Sequence, residues 1–116
     1  MRARLLAELA PLGAEVEVQE TLGRGPNGPI AIVRNVLARL GGERPGKAVL
    51  LAAHYDSVGA SPGAADDGAG VASMIEIARA LGADQPLARP VVLLFSDAEE
   101  ARLIGASAFA LHHPWA

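Results

Sequence analysis

The chain has 116 residues, a formal charge of −3, no cysteine and only 3% aromatic residues. That length allows one domain, able to bury roughly two thirds of its unfolded surface around Ala, Val, Leu and Ile. The scattered Lys and Arg make no basic stripe for nucleic acid, no apolar run reaches the roughly 18 residues of a membrane span, and disulfides and thiolate metal sites are excluded.

Residues 2–12 place Leu5, Leu6, Leu9 and Leu12 on one helical face, ended by Pro11 and Gly13. Glu8 interrupts the apolar stretch, so the segment reads as an amphipathic helix and not as a signal peptide. Period-two alternation over 14–20 predicts a half-buried strand, and 23–29 carries turn chemistry. Residues 30–40 are ambiguous between strand and helix; the β-branched start favours a strand hairpinned onto the preceding one, through about Val36. A turn is expected over 41–47. "AVLLAA" at 48–53 predicts a strand buried on both faces. After a loop over 54–66, Val71, Met74, Ile75, Ala78 and Leu81 form a helical stripe over 67–82, which Asp66 or Asp67 can cap. A loop over 82–90 leads to "VVLLFS" at 91–96, a second fully apolar strand, then to a helix over 100–111 and a frayed end, "HHPWA". This order predicts an α/β fold with two parallel central strands joined by a crossover helix.

In such sheets ligands bind beyond the carboxyl ends of the strands. His54 and Asp56 follow one apolar strand directly, Glu99 and Glu100 follow the other, and Asp66 closes the intervening loop. Neighbouring strands would therefore gather one imidazole and several carboxylates at one edge. Crowded carboxylates repel unless a cation or bound protons neutralise them. A divalent metal is the economical answer, and His with carboxylates suits zinc, or less specifically manganese or cobalt. Each piece alone has an ordinary explanation. Asp66 and Asp67 can simply cap a helix, Glu99 and Glu100 can favour a helix dipole, and His112 and His113 can belong to a solvated tail. Ser57 lacks the G-x-S-x-G surroundings of a nucleophile. The joint arrangement carries the inference.

"HYDSV", "PGAADDGAG" and "VVLLFSDAEEARLIGASAF" together resemble the zinc aminopeptidase family, the cocatalytic dizinc exopeptidases that include bacterial leucine aminopeptidases, glutamate carboxypeptidase and glutaminyl cyclase relatives. The match runs through residues 48–109. The resemblance implies a three-layer helix–sheet–helix α/β fold with a mixed, largely parallel central sheet, and two zinc ions in the complete domain. By the same resemblance His54 is a ligand to one zinc, Asp66 bridges both, and Glu100 is a ligand on the second side. Glu99 is the general base toward the attacking water, and Asp56 orients His54. These roles are chemically coherent: only a carboxylate offers one oxygen to each of two metals, and a carboxylate two residues from a ligand histidine can accept its other ring N–H.

The family pattern also contains an aspartate and a histidine further downstream. No aspartate follows Asp97, and His112 and His113 come too soon. Residues 1–116 are thus expected to be the amino-terminal portion of a peptidase domain, with weak or absent zinc and little activity alone. The remainder of the parent chain and a peptide substrate are the expected partners, with self-association through an exposed sheet edge as a further expectation. A non-catalytic binding relative and a dizinc amidohydrolase or glutaminyl cyclase-like enzyme are the alternatives. Nothing in the sequence separates a secreted parent from a membrane-attached one.

Overall fold

A computed structural model describes residues 1–26, 28–41, 46–83 and 86–116. The turn expected over 41–47 falls largely outside the described residues, as do Asn27 of the 23–29 turn and positions 84 and 85 of the loop expected over 82–90. Seven main elements follow in order: α1 (Arg2–Leu9), β1 (Glu15–Arg24), β2 (Ile30–Leu40), β3 (Val49–His54), α2 (Ala69–Ala83), β4 (Val91–Ser96) and α3 (Ile104–His112). Among the described residues no helix is long and apolar enough to cross a membrane.

The four strands form one sheet in the order β1-β2-β4-β3. The ambiguous 30–40 segment is strand throughout, because it is paired on both sides: β1 joins it antiparallel from Arg24↔Ile30 to Glu15↔Arg39, and β4 joins it antiparallel from Val36↔Phe95 to Leu40↔Val91. Tertiary pairing overrides whatever helical tendency the run has. Only β3 and β4 are parallel, in register from Val49↔Val91 to His54↔Ser96. The sheet is mixed, as expected, but within these residues it is not largely parallel. The β1–β2 hairpin contributes antiparallel pairs, and the single β3–α2–β4 crossover contributes the parallel one.

Helices cover both faces. Leu5 and Leu9 of α1 and Val71, Met74 and Ala78 of α2 pack with Val36, Ala38, Leu40, Leu93 and Phe95 on one side. On the other, Phe109 of α3 meets Leu37, Val92 and Leu94, while Ile104 and Ala108 meet Val33. All six residues of β4 are buried. The matching expectation for β3 does not hold: it is an edge strand, and Val49 and Leu50 remain 43% and 49% exposed. A short apolar run reads the same at a sheet's centre and at its edge, and position in the sheet decides.

Two helices begin later than the sequence suggests. Residues 64–68 form a separate turn before α2, and α3 starts at Ile104, with the Glu99 and Ala98 carbonyls accepting the Leu103 and Ile104 N–H groups in a turn ahead of it. The terminal residues are not frayed. The His113 ring is buried, stacks on Phe109, meets the Trp115 ring edge-on and pairs with Glu17 of β1.

Two tests follow from this arrangement. Leu93→Ala, in the fully buried strand, should cost about 2–5 kcal/mol, whereas Leu50→Ala on the open face of β3 should cost less than about 1 kcal/mol; chemical denaturation of the 116-residue chain compares them. The single tyrosine, Tyr55, donates its hydroxyl to the Arg34 carbonyl at 2.6 Å. Burial first, then the Asp97 charge, push its pKa up from 10.0 to about 12, against the opposing effect of Arg2. The neutral phenol is therefore favoured in the folded state. Its contribution is complete below the unfolded pKa near 10 and is lost as pH rises toward 12. An ultraviolet titration should show phenolate appearing well above the pH at which the unfolded chain shows it.

Candidate active site

The in-register parallel pair brings the ends of β3 and β4 side by side, with His54 opposite Ser96. Each end continues into a loop that carries acids. His54 is the last residue of β3 and is largely buried. Its Nδ1 lies 3.0 Å from the Asp56 backbone carbonyl and 3.5 Å from the Asp56 carboxylate. Its Nε2 lies 3.1 Å from Asp66 Oδ1 and 3.7 Å from Glu99 Oε2. Ligand-type atoms of His54, Asp66 and Glu100 all lie within 4.8 Å of one another.

The imidazole thus has its two nitrogens in different surroundings. A proton on Nδ1 can be donated to the Asp56 carbonyl, which leaves the Nε2 lone pair directed at the acids. Burial disfavours the charged ring. The Asp66 hydrogen bond, the Asp56 carbonyl and the charges of Glu99 and Asp56 together outweigh it and hold the His54 pKa above its usual 6.5.

Adjacent aspartates divide two tasks that look identical in the sequence. Asp66, exposed, reaches the His54 ring. Asp67 caps α2: its Oδ1 accepts the Gly70 N–H at 3.0 Å, and its Oδ2 accepts the His54 backbone N–H at 3.2 Å. Asp67 therefore ties the start of α2 to the end of β3.

Glu99 and Glu100 do not sit in a helix. They sit in the turn between β4 and α3, and the Asp56 carboxylate accepts both of their backbone N–H groups, at 3.0 and 3.1 Å. Asp56 so touches all the other segments of the cluster except the 66–67 turn. Beside the acids lies an open cleft of about 180 Å³, lined by His54, Asp67, Ser96, Glu99, Leu103 and Ala106.

All five residues singled out in the sequence are brought together. Sequence reasoning missed the residues that hold them. Asn35 is buried, and its Nδ2 donates to Gln19 Oε1 and to the Gly105 carbonyl, each at 2.8 Å, while its Oδ1 accepts the Asp97 N–H at 2.9 Å. Asp97 Oδ2 accepts the Arg34 N–H at 2.9 Å. One signal was present: a lone amide inside the apolar run 30–40 must find partners if that run is buried. His112 stays exposed on the surface, and His113 pairs with Glu17, so neither joins the cluster.

Known proteins resemble this chain in sequence and in fold. Residues 35–116 match the description Peptidase family M28. The chain is 44% identical over 86 residues to a vacuolar membrane protease of Yarrowia lipolytica, covering 71% of this chain and 9% of that protein. It is 43% identical over 86 residues to endoplasmic reticulum metallopeptidase 1 of Rattus norvegicus, covering 72% and 10% respectively. A solved glutaminyl cyclase of Porphyromonas gingivalis superposes with a TM-score of 0.83 at 29% identity, over 96% of this chain and 43% of that one. A Zn-dependent exopeptidase of Parabacteroides distasonis superposes at 0.79 and 29% identity, over 97% and 48%. The chain thus spans about a tenth of the curated relatives and under half of the solved structures. The match begins at the buried Asn35 and takes in β3, the 66–67 turn, β4 and the Glu99–Glu100 turn, and on that evidence the chain belongs to peptidase family M28.

Proposed function

We propose that the full-length protein is a zinc-dependent exopeptidase acting at the amino-terminal end of peptides. In this reading His54, Asp66 and Glu100 hold zinc, Glu99 is the general base, and Asp56 positions both His54 and the Glu99–Glu100 turn. The observation that carries it is the convergence of three ligand-type groups from three separate segments within 4.8 Å, with Glu99 3.7 Å from the same imidazole. The donor set is nitrogen and oxygen without thiolate, which suits zinc. The names of the relatives, a protease, a metallopeptidase and a Zn-dependent exopeptidase, support the same reading.

When bound, zinc supplies Lewis acidity, which acidifies water and polarises a carbonyl. The remaining work falls to side chains of this chain. The Asp56 carbonyl fixes the His54 ring so that Nε2 is free to ligate. The Glu99 carboxylate takes a proton from the attacking water as the water oxygen bonds to the scissile carbonyl carbon. When the C–N bond breaks, Glu99 returns that proton to the departing amine, so protons balance over the cycle. Leu103 and Ala106 give the cleft an apolar wall next to Glu99, against which a substrate side chain can lie.

A two-zinc form needs ligands beyond this set, from parts of the protein outside these residues. The free edge and half-open face of β3 support pairing with further strands of the parent domain, or else with a second copy. A second reading, cyclisation of an amino-terminal glutamine, is favoured by the TM-score of 0.83 to the Porphyromonas gingivalis cyclase. The two reactions differ in product: hydrolysis releases the amino-terminal residue, whereas cyclisation releases ammonia and keeps the chain length.

The discriminating assay incubates the full-length protein with peptides in the presence of zinc and weighs the products. Release of single amino-terminal residues is expected. Glu99→Gln should lower kcat at least ~100-fold while the zinc content stays that of the parent. His54→Ala should lose both zinc and turnover. Undiminished turnover by Glu99→Gln would remove the base assignment, and ammonia release from glutaminyl peptides without shortening would replace the exopeptidase reading with the cyclase one.

A further inference from the structure

The turn that carries Glu99 and Glu100 is not relaxed. Ala98, Arg102 and Leu103 have φ angles of 52°, 75° and 59°, in the left-handed region that residues with a side chain avoid. Such conformations persist only where the surroundings over-determine them, and they gather at functional sites. Here the attachments are visible. The middle is held by Asp56, which accepts the Glu99 and Glu100 N–H groups. Both ends are held by one side chain: Asn35 Oδ1 accepts the Asp97 N–H, and Asn35 Nδ2 donates to the Gly105 carbonyl.

Several details make this a fitted clasp and not an incidental contact. Asn35 is fully buried, so each of its bonds replaces water it cannot reach. Its second amide hydrogen goes to Gln19 Oε1, and Gln19 Nε2 in turn donates to the Ala108 carbonyl at 3.3 Å, which links β1 to α3 through the same amide. Gly105 has no room for a side chain, because a Cβ there would overlap Asp97 O and lie 2.5 Å from Asn35 Oδ1. An aspartate at position 35 would lack the two donated hydrogens, and an aliphatic residue would leave the Asp97 N–H and the Gly105 carbonyl unpaired. Residues 30–35 of β2 run on beyond its pairing with β4, which stops at Val36↔Phe95. That overshoot is what brings Asn35 alongside the turn.

We propose that Asn35 is a positioning residue for the active site: by fastening residues 97 and 105 it sets where Glu99 and Glu100 stand relative to His54 and Asp66. It touches neither substrate nor metal and acts through the turn. The proposal rests on the zinc-exopeptidase reading for its kinetic consequences, but not for its structural one.

The test uses the full-length protein, with Asn35→Ala and, because the buried site is sensitive, Asn35→Asp, which keeps the shape and the acceptor for the Asp97 N–H but lacks the hydrogen donated to the Gly105 carbonyl. Three quantities are read on each folded variant: amide exchange at Glu99 and Glu100 against that of β4, the affinity for zinc alone by calorimetry, and kcat and KM separately. The expected result is exchange at Glu99 and Glu100 at least ~10-fold faster with β4 unchanged, zinc affinity lowered by about 10- to 100-fold, and a fall in kcat with KM nearly constant. If Asn35→Ala does not fold, Asn35→Asp is expected to show the same pattern more weakly. Parent-like exchange, zinc affinity and kcat in the folded variants would overturn the proposal, and so would exchange that rises equally across β4. If the parent protein binds no zinc and cleaves no peptide, the exopeptidase reading fails, and exchange at Glu99 and Glu100 still decides the clasp.

Discussion

The in-register parallel pairing of β3 with β4 is the constraint on which everything else depends. A parallel pair ends both strands at the same edge, so whatever follows each strand is delivered to one place. With His54 opposite Ser96, the two strands hand over to H-x-D on one side and to the Glu99–Glu100 turn on the other. The crossover through α2 adds a third contribution, because the segment leading into that helix must leave from the same edge and carries Asp66 there. A shift of one residue in register would turn every β3 side chain to the opposite face, and His54 would leave the acids.

Electrostatics make the cluster informative. A structure selected for stability alone has no reason to gather Asp66, Glu99 and Glu100 around a single imidazole, since like charges in proximity raise the free energy of the folded state. The ring answers by holding its proton more tightly than usual, the direction expected when acids outweigh burial. A divalent cation answers the same need more completely. Support for the cluster is correspondingly heavy. Asp56 and Asn35 bond backbone groups of the Glu99–Glu100 turn and its flanks, Asp67 ties the start of α2 to the end of β3, Asp97 accepts the Arg34 N–H of β2, and among the described residues no buried side-chain nitrogen or oxygen lacks a partner.

Much of the site was readable because its chemistry sits in short motifs beside unmistakable apolar strands. His54, Asp56, Asp66, Glu99 and Glu100 could be named from spacing and resemblance alone. What was not readable is decided at long range. Asp66 and Asp67 are interchangeable as letters, and only the path of the backbone makes one a cap and the other a neighbour of the imidazole. The segment after Ser96 has helix-forming residues, yet hydrogen bonds from Asn35 and Asp56, far away in the chain, hold it as a turn. β3 and β4 look alike as sequences and differ only because β4 has a partner on each side. His113 reads as a loose end until Glu17, at the other end of the chain, is beside it.

The most direct measurement is anomalous diffraction at the zinc absorption edge from crystals of the full-length protein. Anomalous density is expected in contact with His54 Nε2 and with carboxylate oxygens of Asp66 and Glu100, whether at one zinc or at two that share Asp66, with the Glu99 carboxylate nearby but not bound to it. Zinc held elsewhere, or bound by Glu99 in place of Glu100, would contradict the account.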